Sequence, residues 1–479
     1  MSQPLKTQVA VIGGGPGGYA AAFAAADLGL EVTLIDLEPN PGGVCLYRGC
    51  IPSKALLHCA KVIKDAEEAA QWGIYFERLR IDLAQMREQK DAVVGKLTGG
   101  LGQLAKARKI RYMRGRAAYQ DSTTLTVTAD TGEEQTLVCK QSILAAGSRP
   151  TTIPSLLVDS PRMMNSTRAL EIEDLPPTLL VVGGGYIGLE LGSVYATLGS
   201  QVTLVEMTPS FLPGVDEDLR QILSERVGGL FYKKHFNTRV EKIKEVKKGL
   251  RVSFRGGDGN AFAETFDKVL LSVGRTPNSS GLGLNTTKVE LNDRGFVKVD
   301  AQRRTSDPAI FAIGDITGEP MLAHKASHEG RVAAEVIAGH NVAFEPRAIP
   351  AVVFTDPELA WCGITETQAK KEGRAINVAR FPWGASGRAT TLSRPDGLTK
   401  LITERDTGQV IGVGIVGTAA GELISQGVLA IEMGATAEDI GLSIHPHPTL
   451  SETVMESADM IFGQSIHMYR PKAKKDERA

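Results

Sequence analysis

The 479-residue chain contains few cysteines and no excess of charge of either sign. Five cysteines are too few for the dense disulfide framework of a small secreted protein, so any pair that oxidises is better explained as a reactive pair. The 54 basic and 55 acidic residues give a net charge of −1. This balance argues against nucleic acid as a general partner, because such a partner requires a clustered basic excess.

The sequence also lacks an uninterrupted apolar run of membrane-spanning length. Its most apolar stretch, VAVIGGGPGGYAAAFAAADLGL, is broken by glycines, Pro16 and Asp27. The N-terminal residues MSQPLKTQ have neither a basic region before an apolar core nor a cleavage site. These features predict a cytoplasmic protein that does not bind membranes. The charged, apolar-poor end RPKAKKDERA predicts a short disordered tail.

A glycine-rich unit stands near the N-terminus, in QVAVIGGGPGGYAAAFAAADLGLEVTLID. An apolar strand-like run leads into Gly13-x-Gly15-x-x-Gly18, an Ala-rich helix and a second strand that ends at Asp36. The first glycine allows a tight turn, the second a close approach to a pyrophosphate, and the third close packing of helix on strand. A lone GxGxxG is weak, but the strand–helix context and the later acid predict a dinucleotide site.

The same unit returns in TLLVVGGGYIGLELGSVYATLGSQVTLVE. Gly183, Gly185, Gly188 and Glu206 repeat the first set with a displacement of 170 residues. Glycine-rich turns of an unrelated α/β fold are the alternative, and the repeated context argues against it. We therefore expect two dinucleotides. Glu206 would repel a 2′-phosphate, and the following MTPSF contains no arginine to bind one, which favours NAD over NADP.

A cysteine pair lies in GGVCLYRGCIPSK. On a regular helix, Cys45 and Cys50 would lie roughly 8–9 Å apart, whereas a disulfide needs Cα atoms within about 7 Å. Either the thiols do not meet or the backbone between them is irregular. Gly49 and Pro52 favour the irregular backbone.

Two nucleotide sites and one bent cysteine pair suggest an electron relay from nicotinamide through a flavin to a disulfide. Buried structural thiols are the alternative for the pair considered alone, and the neighbouring flavin-type fingerprint argues against it. Cys59, Cys139 and Cys362 have no such context and are expected to be small packing residues.

The motif Gly42-Gly43-x-Cys45-Leu46-x-x-Gly49-Cys50-Ile51-Pro52-Ser53-Lys54 resembles the active-site signature of the flavin-dependent pyridine nucleotide-disulfide oxidoreductases. The resemblance covers essentially the whole chain. AAGSRP and SVGRTPN resemble the crossings out of the two nucleotide domains, IFAIGDITGEPMLAHKA the second flavin motif, and HPHPTLSETV the C-terminal catalytic signature.

The resemblance implies an α/β fold with two Rossmann-like dinucleotide-binding domains and a C-terminal α+β dimerisation domain. The implied domains are an FAD-binding domain over 1–150, an NAD-binding domain over 151–280, a central segment over 281–350 that completes the FAD site, and an interface domain over 351–479. From pattern alone, only the first two could be placed.

The family also implies roles for the reactive residues. Cys50 would lie against the flavin and Cys45 would be the interchange thiol. His447 would be the base, oriented by Glu452, and the spacing His-Pro-Thr-x-x-Glu favours it over His445. In this family the histidine serves the other subunit, so an obligate homodimer is expected.

The remaining site residues are assigned through the two fingerprints and the resemblance. Lys54 matches the lysine near the flavin ring and Glu190 the acid that pairs with it. The FAD residues are Gly13, Gly15, Gly18, Asp36, Lys54, Ala117, Gly147, Asp315 and Ala323. The NAD residues are Gly183, Gly185, Ile187, Gly188, Glu190, Glu206 and Gly274.

Within the family, the resemblance is strongest to the members that oxidise protein-bound dihydrolipoyl groups with NAD. The implied partner is the lipoyl domain of an acyltransferase or another lipoyl carrier. Tyr47 and Arg48 depart from the usual pattern beside the disulfide, so a paralogue that serves a specialised lipoyl carrier stays open.

Other readings of the chain differ in identifiable features. A glutathione-reductase-like NADPH enzyme is opposed by Glu206. A mercuric reductase would need a C-terminal cysteine pair, but no cysteine follows Cys362. A soluble transhydrogenase would lack the cysteine pair, and a nucleotide-binding scaffold would not need His447 with Glu452.

Overall fold

The computed structural model describes residues 3–77 and 79–469. The predicted disordered tail, residues 470–479, lies outside them. Contacts divide the described residues into two compact units. The first unit holds residues 3–59, 69–175 and 268–345, and the second holds residues 60–68, 176–267 and 346–469.

The strands of the described residues are mostly short. In chain order they are β1 (Leu5–Ile12), β2 (Val32–Asp36), β3 (Arg111–Arg114), β4 (Arg116–Asp121), β5 (Thr124–Thr128), β6 (Glu134–Leu144), β7 (Ser148–Pro150), β8 (Met163–Asn165), β9 (Thr178–Val182), β10 (Gln201–Val205), β11 (Lys233–His235), β12 (Thr238–Val246), β13 (Gly249–Gly256), β14 (Ala261–Phe266), β15 (Lys268–Leu271), β16 (Arg275–Pro277), β17 (Ile310–Ala312), β18 (Ala351–Val353), β19 (Glu358–Gly363), β20 (Ile376–Pro382), β21 (Leu398–Glu404) and β22 (Val410–Gly417).

The α-helices alternate with these strands around the two glycine-rich turns. In chain order they are α1 (Pro16–Asp27), α2 (Gly43–Arg48), α3 (Cys50–Glu68), α4 (Leu83–Ala107), α5 (Ser166–Ala169), α6 (Tyr186–Thr197), α7 (Glu217–Leu230), α8 (Ala323–Ile337), α9 (Glu366–Glu372), α10 (Gly387–Thr391), α11 (Ala420–Met433), α12 (Ala437–Leu442) and α13 (Glu452–Phe462).

The main sheet of the first unit has the order β3-β2-β1-β6-β5-β4, with β17 also paired to β6. Strands β3, β2, β1, β6 and β17 pair in parallel, whereas β6-β5-β4 is an antiparallel extension. β1 is central, with Ile12 aligned to Ile35 on one side and Leu144 on the other. The carboxyl ends of these three strands therefore meet at one edge, where ligands of such sheets bind.

Successive residues of β1 enter different cores. Val9 and Val11 join one buried cluster with α1 and α8, while Ala10 and Ile12 join another with β4, β5 and β6. This alternation follows from the two-residue period of a strand. Both sheet faces are covered, which explains why the second half of β1, from Val9 to Ile12, is continuously apolar.

The second unit contains a parallel β9-β10-β11 arrangement, an antiparallel sheet β12-β13-β14, and an antiparallel sheet β18-β19-β22-β21-β20. Helices α11 and α13 pack on the last of these sheets. Its core includes Trp383, Leu401, Ile415 and Val454, all fully buried.

Two βαβ units with glycine turns and a C-terminal antiparallel sheet covered by helices confirm the predicted fold class. Among residues 3–77 and 79–469, no helix combines the length and the apolar composition needed to cross a bilayer. The boundaries between the four predicted domains stay predictions.

Candidate functional site

The first glycine turn joins β1 to α1, and Asp36, the last residue of β2, lies beside it. Gly13 has φ +103°, which favours glycine, and its N–H donates to Ile35 O at 2.8 Å. The Asp36 carboxylate accepts the Gly14 N–H and, at 2.9 Å, the Glu38 N–H. Burial raises the pKa of Asp36, although the Gly14 N–H opposes this change. The carboxylate thus stands beside the turn, as a ribose hydroxyl acceptor must.

The second glycine turn repeats this hydrogen bonding residue by residue. Gly183 has φ +107° and donates to Val205 O at 2.9 Å. Glu206 accepts the Gly184 N–H at 2.7 Å and the Thr208 N–H at 2.8 Å. The two glycine turns, 170 residues apart, therefore share their hydrogen-bond geometry as well as their residue types.

Both turns fit a pyrophosphate. Helices α1 and α6 begin after Gly15 and Gly185, have no side-chain cap, and carry no acidic residue in the first turn. Such N-termini favour anions, because backbone N–H groups and the helix dipole point at them. A Cβ on Gly18 would lie 1.7 Å from Gly13 O, so glycine is required there for close packing.

The cysteine pair lies at a break between two helices, as expected. α2 ends at Arg48 and α3 begins at Cys50, with Gly49 between them at φ −145° and ψ −115°. A Cβ on Gly49 would lie 2.8 Å from Val44 O and 3.2 Å from the Cα of Cys45. Glycine is therefore needed to let the chain turn back towards Cys45.

Cys45 and Cys50 are thiols in the structure and lie next to each other. Cys45 is half-buried and Cys50 is exposed. A hydrogen bond with Cys50, together with burial, raises the pKa of Cys45 far above its ordinary value, and the nearby Lys54 charge opposes this effect. The two side chains are within hydrogen-bonding reach of each other and have unlike surroundings.

Tyr19 is a neighbour of the pair that the sequence analysis missed. Burial, followed by Cys45 and Cys50, raises the pKa of the Tyr19 phenol. Tyr19 directly follows Gly18 on α1, so the glycine turn and the sulfurs belong to one site. Its position after the fingerprint was the only sequence signal, and the fingerprint alone does not specify a residue type there.

Tyr47 and Arg48, the two departures from the family pattern, both interact with the segment after β2. The Tyr47 hydroxyl donates to Asn40 O at 3.1 Å, and Arg48 forms an ion pair with Glu38. The Arg48 charge also acts to lower the pKa of Asp36. These side chains link α2 to the segment that follows β2.

Asp315 lies in a short 3₁₀ turn, Gly314–Thr317, directly after β17. Its carboxylate accepts a hydrogen bond from the Ser148 hydroxyl. Arg275 donates to the same hydroxyl at 2.7 Å and lies 3.8 Å from the Asp315 carboxylate. Ser148 and Arg275 belong to the two crossing motifs, but no sequence pattern singles them out.

The remaining predicted flavin residues have clear places in the first unit. Ala117 is buried within β4, and Gly147 has φ +67° with its carbonyl bonded to Asn278 N–H at 3.0 Å. Ala323 is the first residue of α8. Gly274, which was predicted for the NAD site, also belongs to the first unit and has φ +112°.

Gly188, Ile187 and Glu190 lie on α6 in the second unit. The Glu190 carboxylate is buried and accepts the Phe354 N–H at 3.0 Å. A buried carboxylate next to a nucleotide-binding turn requires such donors. Its predicted pairing with Lys54 stays a prediction.

His447 and Glu452 form the predicted pair in the second unit. Nδ1 of His447 lies 2.9 Å from Glu452 Oε1, and the Thr449 N–H donates to Oε2 at 2.7 Å. Partial burial would raise the pKa of Glu452, but the Thr449 N–H and the His447 ring outweigh it and lower the pKa. With Nδ1–H directed at the carboxylate, the other ring nitrogen can accept a proton. The His447 side chain is 70% exposed.

His445, the alternative base, has both ring nitrogens engaged. Nδ1 lies 2.7 Å from Ser443 O and must donate, because a carbonyl only accepts. Nε2 lies 2.6 Å from the Gln426 amide nitrogen and accepts from it. This arrangement favours His447 over His445 as a base.

Comparison with known proteins identifies relatives along the whole chain. The family model for pyridine nucleotide-disulphide oxidoreductases matches residues 7–330, and the model for the dimerisation domain of these enzymes matches residues 349–458. The chain is 48% identical to a dihydrolipoyl dehydrogenase from Haemophilus influenzae, with 99% of each chain covered. It is 44% identical to a dihydrolipoyl dehydrogenase from Bacillus subtilis, over 98% of this chain and 99% of the relative.

Solved structures show the same fold. The crystal structure of LpdA from Mycobacterium tuberculosis superposes with a TM-score of 0.88 at 28% identity, over 95% of this chain and 99% of that one. The HOCl-induced flavoprotein disulfide reductase RclA from Escherichia coli superposes with a TM-score of 0.83 at 26% identity, over the same shares.

Proposed function

Because the chain belongs to the pyridine nucleotide-disulphide oxidoreductase family, we propose that it oxidises protein-bound dihydrolipoyl groups and reduces NAD. The observation that carries this proposal is the adjacent Cys45 and Cys50 thiols at the glycine-broken junction of α2 and α3. Several relatives at 43–48% identity carry the name dihydrolipoyl dehydrogenase, which agrees with this activity.

FAD would bind at the first glycine turn and NAD at the second. Asp36 and Glu206 would accept hydrogen bonds from the adenosine riboses, and the uncapped N-termini of α1 and α6 would face the pyrophosphates. Asp315 would contact the ribityl chain. When bound, FAD supplies a two-electron carrier between the cysteine dithiol and NAD.

The cysteine pair performs the exchange with substrate. In the oxidised enzyme, a substrate thiolate attacks Cys45, the Cys45–Cys50 disulfide breaks, and Cys50 leaves as a thiolate. The second substrate thiol then displaces Cys45, so the lipoyl disulfide forms while the protein gains two electrons. Thiolates are the reactive species, and His447, oriented by Glu452, accepts the proton from the substrate thiol.

The assembly that we propose is a homodimer in the cytoplasm, in which His447 of one subunit serves the cysteines of the other. The dimerisation-domain match over residues 349–458 supports the dimer. The partner would be the lipoyl domain of an acyltransferase or another lipoyl carrier. We also propose the division into an FAD domain, an NAD domain, a central segment and an interface domain at the boundaries given above.

A glutathione-reductase-like NADPH enzyme is the main rival. Glu206 opposes it, because its carboxylate is held beside the second glycine turn, where a 2′-phosphate would be repelled. RclA, a flavoprotein disulfide reductase, is a more distant relative at 26% identity.

Steady-state turnover decides between these functions. The purified protein should reduce NAD with dihydrolipoamide, react poorly with NADP, and be inactive with reduced glutathione. Glu206→Ala should lower the NAD/NADP preference, because the repulsive carboxylate is gone, whereas Glu225→Ala on the exposed face of α7 should not change it. Higher activity with glutathione and NADP would exclude the proposed function, and an unchanged preference in Glu206→Ala would exclude the role of that carboxylate.

A further inference from the structure

A fully buried carboxylate, Glu329, lies on α8 in the first unit, and the reaction steps above do not use it. Its Oε1 lies 2.9 Å from an Arg303 guanidinium nitrogen and 3.0 Å from Lys325 Nζ. Its Oε2 accepts the Gly314 N–H at 2.6 Å. A buried carboxylate is costly unless it is paired and hydrogen-bonded, and these three donors meet that need.

Glu329 and Lys325 hold the two ends of the turn that carries Asp315. Glu329 binds the N–H of Gly314, the first residue of the turn, while Lys325 Nζ donates to Gly318 O at 3.3 Å, just after its end. The two side chains are four residues apart on α8 and therefore lie on one face. Gly314, the first residue of the turn, and Gly318, just after its end, have φ +76° and +132°. Both positions therefore require a backbone conformation that favours glycine.

Helix α8 is itself fixed against the first glycine turn. A Cβ on Gly330 would lie 2.5 Å from Gly17 O, and the Ser327 hydroxyl donates to Pro16 O at 3.1 Å. The helix that holds the Asp315 turn therefore packs directly on the helix whose N-terminus would face the pyrophosphate.

We propose that Glu329 is a positioning residue for flavin binding, acting through the Gly314 N–H to place the Asp315 carboxylate. This inference rests on the proposed function, because it requires that FAD binds at the first glycine turn. Lys325 holds the other end of the turn. Lys325 and Arg303 both pair with Oε1 of Glu329 and leave Oε2 to accept the Gly314 N–H.

Titration of the flavin-free full-length protein with FAD, followed by flavin fluorescence, tests the proposal. Glu329→Gln keeps one acceptor but loses the ionic pairs, so its FAD dissociation constant should rise about tenfold or more. Glu335→Gln, a partly buried carboxylate on the same helix, is the matched control and should bind FAD like the parent protein. Lys325→Gln should also weaken FAD binding, but less than Glu329→Gln does. If Glu329→Gln does not fold, the FAD affinity of Lys325→Gln tests the proposal in its place.

A double-mutant cycle with Asp315→Asn separates positioning from a general loss of packing. If Glu329 acts through Asp315, Glu329→Gln should have little further effect on FAD affinity once Asp315 is changed. Fully additive losses in the double variant, or parent-like affinity in both Glu329→Gln and Lys325→Gln, would overturn the inference while leaving the proposed function intact. A parent protein that binds no FAD would instead overturn the proposed function, and the inference with it.

Discussion

Cys45 and Cys50 differ in their surroundings although they form one reactive pair. Cys45 is half-buried, hydrogen-bonded to its partner and raised in pKa, whereas Cys50 is exposed at the first residue of α3. The family resemblance implies different roles for the two sulfurs. Their unlike burial gives a physical basis for testing those roles one sulfur at a time.

Single serine variants should distinguish the flavin-facing sulfur from the interchange sulfur. Cys45→Ser leaves Cys50 beside the flavin, so the holoenzyme should show a long-wavelength charge-transfer band without added reductant. Cys50→Ser should show no such band. Its Cys45 should alkylate readily, because serine stays neutral where the Cys50 thiol can ionise and raise the pKa of Cys45. Absorption spectra measure the charge-transfer band, and the rate of reaction with iodoacetamide measures thiol reactivity. A band in Cys50→Ser alone would reverse the assignment.

The base can be tested by exchanging each histidine for glutamine. His447→Gln should retain flavin and lower dihydrolipoamide oxidation by about 10²–10⁴-fold, the usual cost of losing a general base. His445→Gln is the control, since both nitrogens of that ring are engaged by Gln426 and Ser443. Initial rates across pH give the comparison, and a larger loss in His445→Gln would show that the assignment is wrong.

At the scale of elements, the junction of α2 and α3 shows how one glycine creates a reactive site. The two helices would continue into each other if position 49 were an ordinary helical residue, and the sulfurs would then separate. The sequence predicted an irregular backbone from Gly49 and Pro52. The structure adds the reason, which is the close approach of Gly49 to Val44 O and the Cα of Cys45.

Gly49→Ala should therefore destabilise the protein and slow disulfide formation. The added methyl group would meet backbone atoms at 2.8 and 3.2 Å, and overpacking of this kind costs about 1–3 kcal/mol. Gly95→Ala on α4 is the matched control, because its Cβ would meet nothing within 4 Å and alanine favours helix by about 0.5–1 kcal/mol. Urea unfolding midpoints measure the stability of the two variants, and the rate of thiol loss on oxidation measures disulfide formation. Equal midpoints for the two variants would contradict the steric argument.

At the scale of the whole molecule, the C-terminal part carries a group of exposed apolar residues. Leu429, Met433, Leu442 and Ile444 are 63%, 76%, 75% and 99% exposed, and all lie within the segment that matches the family's dimerisation domain. Large apolar side chains exposed in such numbers are typical of protein–protein contacts. Ile444 lies three residues before His447 in the chain, so a subunit interface here would also order the base.

The double variant Leu442→Glu with Ile444→Glu should shift the protein from dimer to monomer and reduce dihydrolipoamide turnover at least tenfold. Burying two carboxylates in an apolar contact without partners is strongly unfavourable. Leu291→Glu, at a 40% exposed leucine of the first unit, is the control and should stay dimeric. Sedimentation velocity gives the mass, and a dimeric, fully active double variant would place the interface elsewhere.

Much of the site could be predicted from short patterns in the chain. The glycine turns and the bent cysteine pair are local, because a turn or a helix start depends on neighbouring residues. Asp36 and Glu206 follow from the strand–turn–helix–strand pattern, and the pairing of His447 with Glu452 follows from the family resemblance. The repeat of 170 residues was equally visible, and the structure reproduces it down to the hydrogen bonds of Gly14 and Gly184. The family resemblance that these patterns carry was confirmed, and so was the fold class that the resemblance implies.

Contacts between residues distant in the chain were decided only by the tertiary structure. No local pattern shows that Tyr19 borders the sulfurs, that Arg275 and Ser148 share a hydrogen bond beside Asp315, or that Glu329 holds the Gly314 N–H. The sequence by itself determined which backbone turns form and which chemistry they carry. Which side chains satisfy a buried carboxylate depends on how helices and strands pack, because a buried charge takes its donors from whatever the packed elements bring near it.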